Sequence, residues 1–259
     1  MKAPSFAYAK PRSLAEAFDL LERPGAKILA GGQSLIPSLN MRLSAPELLI
    51  DITGIGGLNK IEKTNGALRI GALCTHAELE QSEDLKRHLP LVAEAIPHIA
   101  HPAIRNRGTL GGSLALADPA AELPACAVAV EAVLTLASRR GERRVPAAQF
   151  FKGLFETDLK PGEILVAAEF PRADKSAFVE LARRQGDYAI VGLAGIVKGG
   201  ERRLAFCGLA AAPALVKAKS LDEAKAAVGR IAATADLYHS ASTKLHLAKV
   251  LLERAWTRL

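Results

Sequence analysis

Apolar residues recur at helical spacing from Ser13 to Leu21, and Ser13 with Glu16 three residues on makes a capping box at the start of that stretch. A short apolar run, 27–30, stops at Gly31-Gly32; a helical pattern restarts over 34–41, and Leu48 to Ile52 reads as a strand. The first glycine pair therefore falls at a strand-to-helix junction. Alternating positions 61–63 and 68–72 flank Asn65-Gly66, which predicts a tight hairpin. Thr75 and Glu78 form a second capping box over a helix at 76–80, and 89–99 is a longer apolar stretch with helical spacing. The polar segment 104–108 leads into a second glycine pair, Gly111-Gly112, after which 123–129 reads as an apolar helix and 132–137 as a strand. Residues 162–171 give another strand, stopped by Pro171. Three antiparallel strands are expected at 178–184, 189–197 and 203–211, followed by helices over 220–231 and 242–256, the last opening at Ser242-Thr243. Strands, helices and hairpins are mixed without strict βαβ alternation, so the predicted class is α+β, which argues against a doubly wound nucleotide fold.

With 259 residues the chain has room for two or three modules, and it carries no internal repeat or low-complexity tract. At 49% hydrophobic and 24% charged residues it has an ordinary globular composition. No apolar run approaches the roughly 20 residues of a membrane helix, so no membrane span is expected. The start, Met1-Lys2-Ala3-Pro4-Ser5-Phe6, lacks the apolar core of a secretory signal, and a cytoplasmic location is expected. Cys74, Cys126 and Cys207 lie too far apart for a zinc or iron-sulfur motif and read as small buried residues. His98 and His101 share helical spacing, but Pro102 ends any helix there and two ligands are too few, so no metal site is assigned. The net charge of +7 raises nucleic acid as a partner, yet the basic residues are scattered and three Tyr with one Trp offer little to stack on bases. The excess suits an anionic cofactor or an acidic partner surface. The run Arg139 to Arg144 reads as a solvated hairpin turn.

The chemistry is concentrated in Ala30-Gly31-Gly32-Gln33-Ser34 and Thr109-Leu110-Gly111-Gly112-Ser113. A diphosphate is well held by several backbone N–H groups pointing inward, and glycine lets the backbone approach closely and take positive φ. A serine hydroxyl and the positive end of a following helix add to this. Neither loop has the lysine of a P-loop or the Gly-x-Gly-x-x-Gly spacing, and at Gly54-Ile55-Gly56 the third glycine position holds Asn59. One Gly-Gly is ordinary turn punctuation; two matched loops favour a phosphate site without naming the cofactor.

Four stretches resemble a known family: Ala30 to Leu35, Ile104 to Ala115, Ala117-Asp118-Pro119-Ala120-Ala121-Glu122, and Gly186-Asp187-Tyr188-Ala189-Ile190-Val191. They are similar to the FAD-binding medium subunit of molybdenum hydroxylases, as in carbon monoxide dehydrogenase and the FAD domain of xanthine dehydrogenase. The resemblance implies FAD held between two α+β subdomains of the vanillyl-alcohol-oxidase type, expected at 1–55 and 56–174. A small C-terminal domain at 175–259, a three-stranded antiparallel sheet with helices, then covers the flavin. It also implies the contacts: Ala30, Gly31, Gly32, Gln33, Ser34 and Leu35 from the first loop, and Thr109, Gly111, Gly112 and Ser113 from the second. Asp118 is expected at the ribose or ribityl part, Tyr188 at the isoalloxazine ring, and Leu165 at the ring or adenine. Asp118 reads equally as an Asx turn before Pro119, and Tyr188 equally as packing. Xanthine dehydrogenase-like sequences carry a lysine where this chain has Val179 or Glu180, which implies a differently tuned flavin and puts a reaction with NAD in doubt.

On this resemblance the chain relays electrons and has no catalytic acid, base or nucleophile of its own. Its implied partners are a large molybdopterin-binding subunit and a small subunit with two 2Fe-2S clusters, assembled as a dimer of heterotrimers. Two other functions stay open on the residues: a stand-alone FAD-dependent oxidase or reductase, and a non-catalytic nucleotide-binding module.

Overall fold

The structure, a computed structural model, describes residues 2–259. Its elements gather around three sheets. In the first unit, β1 (Ala7–Ala9), α1 (Leu14–Leu21), β2 (Ala26–Leu29), α2 (Leu35–Asn40) and β3 (Leu48–Asp51) build a small parallel sheet in the order β1-β3-β2. Ser13 caps α1 through the Glu16 N–H, while the Glu16 carboxylate reaches the Arg12 N–H instead of that of Ser13. Asp51 closes β3, accepting from the Tyr8 hydroxyl at 2.5 Å and from the Thr53 N–H at 2.9 Å.

The second unit opens with the hairpin β4 (Ile61–Thr64) and β5 (Ala67–Gly71), turned by Asn65-Gly66. Six short helices follow: α3 (His76–Gln81), α4 (Glu83–His88), α5 (Pro90–Ala95), α6 (Pro102–Arg105), α7 (Leu110–Leu116) and α8 (Glu122–Ala129). Then come β6 (Val133–Ser138), β7 (Gly141–Pro146), α9 (Ala147–Phe150), the small pair β8 (Phe151–Gly153) and β9 (Glu156–Thr157), and β10 (Ile164–Pro171). The sheet runs β4-β5-β10-β6-β7 and is antiparallel. β10 is its middle strand and is buried on both faces. Ile164 and Val166 face the first unit's core, whereas Leu165 and Phe170 face the second's. The Arg139-Arg140 turn between β6 and β7 is anchored to the first unit by Arg139, which pairs with Asp19 and Glu22 of α1.

Proline placement revises two expectations here. The stretch 89–99 is not one helix, because Pro97 lacks the N–H that would continue α5, and Ile96–His98 tightens to a 3₁₀ turn. Pro102 does not end a helix but begins α6 at its first position, where its missing N–H costs nothing.

The third unit is a meander of four strands rather than the expected three: β11 (Lys175–Leu181), β12 (Val191–Lys198), β13 (Glu201–Cys207) and β14 (Ala214–Ala218). The fourth strand hides in 203–218 because Pro213 and the small residues 210–212 interrupt the apolar pattern. α10 (Leu221–Val228) and α11 (Ala241–Trp256) cover one face, with α11 capped by Ser240 rather than Ser242. Val191, Leu193, Leu204 and Phe206 pack under these helices, while Ala194, Ile196, Ala205 and Cys207 point the other way, into the second unit's core. That second contact explains why α8 is buried all round: it lies between two layers. Arg203 locks it there, donating to the carbonyls of Ala129 at 3.0 Å and Val128 at 3.4 Å and pairing with Glu131 at 3.2 Å. The three cysteines are free and buried. No helix among the described residues is long and apolar enough to cross a membrane.

Candidate functional site

All three units meet around a cavity of about 580 Å³. The first unit contributes the loop after β2, the second α7 with its flanking segments and the 99–101 bend, and the third the Gly186-Asp187-Tyr188 loop.

Loop one leaves β2 at Ala30 and turns through Gly31 and Gly32, the latter at φ +74°. Gly31 is pressed so closely against the carbonyl of Arg107 that no side chain fits, which is how the two glycine loops come to touch. The loop closes on its own carbonyls: Gln33 Nε2 donates to Gly31 O at 2.9 Å, and the Ile36 N–H donates to Gly32 O at 3.0 Å. Among the described residues no acceptor faces the N–H groups of Gly31, Gly32, Gln33, Ser34 or Leu35, and the Ser34 hydroxyl caps nothing. Five consecutive amides and a hydroxyl are thus available to an anion. The following helix, α2, has six residues, so the amides themselves rather than a long helix dipole make this an anion cradle.

Loop two looks similar in sequence and is wired differently. The N–H of Leu110 donates to Cys74 O at 2.9 Å, and that of Gly111 to Ala72 O at 2.8 Å. Gly112 donates to the Thr109 hydroxyl at 3.0 Å and Ser113 to the Thr109 carbonyl at 3.0 Å. Every amide at the start of α7 is engaged within the chain. What this side presents to the cavity is the Ser113 side chain and the Gly112 backbone.

Carboxylates and a phenol stand at the far end. The Asp118 Oδ1 accepts from the Ala120 N–H at 2.9 Å, so the Asx turn before Pro119 is real, and the residue lines the cavity as well. Burial pushes its carboxyl up from the usual range. Glu122, 7% exposed, is pushed up to about 8 by burial and by the nearby Glu180 carboxylate, which keeps it protonated at neutral pH. The Tyr188 ring lies open at the rim, 77% exposed. Its hydroxyl is held above the ordinary phenol range by desolvation and by Asp118 and Glu122. His76, at the first position of α3, lines the wall beside Gly108 with neither ring nitrogen hydrogen-bonded.

The structure brings Ala30, Gly31, Gly32, Gln33, Ser34, Leu35, Thr109, Gly112, Ser113, Asp118 and Tyr188 together around this cavity. It does not bring Gly111 or Leu165 there. Gly111 packs on β5's exit, where an added Cβ would lie 2.5 Å from the Ala72 Cβ. Leu165 sits opposite Leu136 in β10 and fills the core. Sequence reasoning missed Glu122 as a wall residue although it ends a recognised motif, and it missed His76, for which a lone histidine after a capping threonine gives no signal. A second cavity of about 470 Å³ shares Gly31 and Thr109 with the first, with Lys10, Asp51, Glu78 and Arg107 in its walls.

The donor set fits FAD. A row of free amides suits its diphosphate, and the apolar walls of Ile28, Ile99 and Ile104 suit flat rings.

Residues 4–173 match the family of the FAD binding domain in molybdopterin dehydrogenase. The 6-hydroxypseudooxynicotine dehydrogenase complex subunit alpha of Paenarthrobacter nicotinovorans is 48% identical over 202 residues, 76% of this chain and 68% of that protein. The carbon monoxide dehydrogenase medium chain of Hydrogenophaga pseudoflava is 40% identical over 203 residues, 76% of this chain and 71% of that one. Among solved structures, carbon monoxide dehydrogenase from Hydrogenophaga pseudoflava superposes with a TM-score of 0.93 at 34% identity, covering 100% of this chain and 98% of that chain. Quinoline 2-oxidoreductase from Pseudomonas putida 86 gives 0.92 at 36% identity, covering 98% and 96%.

Proposed function

Since the chain belongs to the family of FAD-binding domains of molybdopterin dehydrogenases, as an FAD-binding oxidoreductase subunit of the molybdenum hydroxylase class, we propose that it works as an electron relay. It takes electrons from a small subunit with two 2Fe-2S clusters, supplied by a large molybdopterin-binding subunit, and passes them to an external acceptor. The assembly is a dimer of heterotrimers. Bound in the cavity, FAD supplies the capacity to take electrons singly and give them up as a pair.

The chain's own task is to bind and orient. The free amides of Gly31 to Leu35 and the Ser34 hydroxyl take the diphosphate. Ser113 and Gly112 close on it from the other side, with Thr109 holding Gly112 in place through its hydroxyl. Asp118 keeps one carboxylate oxygen for the Ala120 N–H and offers the other to the sugar or ribityl hydroxyls. Glu122 brings a protonated carboxyl to the same end, and Tyr188 gates the rim. Gly111 and Leu165 act at one remove, packing the supports of loop two and of the sheet. In this reading 1–55 and 56–174 are the two subdomains that clamp the cofactor and 175–259 is the cover.

The row of unengaged amides in loop one carries the proposal. Its test is rapid mixing of the flavin-loaded chain with its chemically reduced iron-sulfur partner, followed at the flavin absorbance. Bleaching only when the partner is present is expected. Turnover of an organic substrate by the isolated flavin-loaded chain would overturn the relay in favour of a stand-alone oxidase.

A further inference from the structure

Two observations about the second side of the clamp belong together. In loop two the N–H groups of Leu110, Gly111, Gly112 and Ser113 are already engaged within the chain, so none of these four is left for a diphosphate. Beside it, on the same wall, the His76 side chain is 5% exposed and neither ring nitrogen makes a well-formed hydrogen bond, with only the Thr109 backbone near enough to favour the charged ring. An imidazole buried without a well-formed hydrogen bond is costly until a ligand meets it, and the fold holds it firmly. The His76 N–H donates to Gly108 O at 2.9 Å, and Thr75 before it carries a complete capping box with Glu78.

The nitrogens are shielded, so the ring must turn about its Cβ–Cγ bond to present one of them. The ring packs directly on Gly108, where a Cβ would lie 3.0 Å from both Nδ1 and Cε1. The charged groups around it are accounted for. Arg105 of α6 is occupied by Glu80 at 3.0 Å and by the carbonyls of Ile99 and Ala100, and Glu78 is turned back to Thr75. None of them pairs with the imidazole.

We propose that His76 is a further side-chain donor on loop two's side, beside Ser113, turning about its Cβ–Cγ bond to hydrogen-bond a diphosphate oxygen of the bound cofactor. The proposal rests on the FAD reading above and assigns a positioning role. An imidazole that gains an anionic neighbour also holds its proton more tightly, so cofactor binding draws a proton onto the ring in mildly acidic solution.

The test is titration of the deflavinated full chain with FAD and, separately, with riboflavin, which has no phosphate. For His76→Phe, FAD binding about ten-fold weaker than wild type is expected, with riboflavin binding unchanged. Gly108→Ala, which keeps the imidazole but crowds its ring, is expected to weaken FAD in the same direction. Equal FAD affinity in His76→Phe and wild type overturns the proposal, as does an equal loss for riboflavin. Should His76→Phe fail to fold, the ring-nitrogen NMR signals of wild-type His76 decide: a shift on adding FAD is expected, and unchanged signals overturn it. Failure of the wild-type chain to bind FAD at all overturns the cofactor reading itself.

Discussion

A methyl group added at Gly111 would meet the Cβ of Ala72 at 2.5 Å and its carbonyl oxygen at 2.8 Å, and the Ala72 main chain cannot yield cheaply. Gly111→Ala is therefore expected to lower stability by about 1–3 kcal/mol, read as a shift of the urea midpoint of the cofactor-free chain. Gly31 and Gly111 stand in near-identical sequences; a Gly-Gly pattern encodes close approach, but whether a carbonyl, a neighbouring strand or a ligand makes it is decided by tertiary neighbours far away in sequence. Titration at this scale has two opposed limbs. Burial lowers His76 from an ordinary 6.5 to about 4, so the folded form prefers it neutral. Its share of stability is complete above 6.5 and fades as pH falls towards 4. Glu122 is raised from 4.5 to about 8, so its share is complete below 4.5 and fades as pH rises towards 8. The cofactor-free chain should lose stability in both directions. Glu122→Gln should flatten the alkaline limb, which is on the order of 4 kcal/mol, while leaving the acid limb; thermal midpoints between pH 5 and 9 check this.

Helices as short as α3 and α7 depend on their ends. Thr75 accepts from the Glu78 N–H at 3.2 Å while the Glu78 carboxylate accepts from the Thr75 N–H at 2.7 Å. Thr75→Ala should cost about 1 kcal/mol and, because α3 carries His76, should reduce FAD affinity as well; unfolding and binding measured on the same preparation test whether the two move together. The Thr75–Glu78 capping box was legible in the sequence, since a hydroxyl and a carboxyl three residues apart need no distant partner, whereas at Ser13 only the hydroxyl half of the expected box forms. Also legible were the 65–66 hairpin and the buried runs of α8 and β10. Elements that rely on context were not. α4, with Glu83, Asp84, Lys86 and Arg87 among its six residues, has too little apolar pattern to declare itself. β8 and β9 are shorter than a periodicity window, and β14 follows a proline that masks it.

At the scale of the whole molecule, the cavity exists because the third unit docks on the second. Arg203 binds the carboxyl end of α8 from across that junction, and its side chain is only 5% exposed. Replacing it by methionine leaves the Ala129 carbonyl without its donor, while Val128 keeps the Glu131 N–H and Glu131 keeps Lys198, and a loss of about 1–3 kcal/mol is expected. The Gly186–Tyr188 loop is carried by the same unit, so Arg203→Met should also loosen FAD; a stability loss with unchanged FAD affinity would separate docking from the site. The class, α+β, was readable from mixed periodicities, but the convergence of three units on one cavity was not, because no local pattern records which loops meet.

The contrast between the two loops extends to their exchange with water. Amides without an acceptor in the chain are hydrated in the cofactor-free protein, so the N–H groups of Gln33, Ser34 and Leu35 should trade hydrogen for deuterium rapidly. Those of Leu110 to Ser113, already bonded within the fold, should be slow in either state. Adding FAD should then slow loop one selectively while leaving loop two as it was. The half of the clamp that still awaits its ligand would be visible as the half that changes its clock.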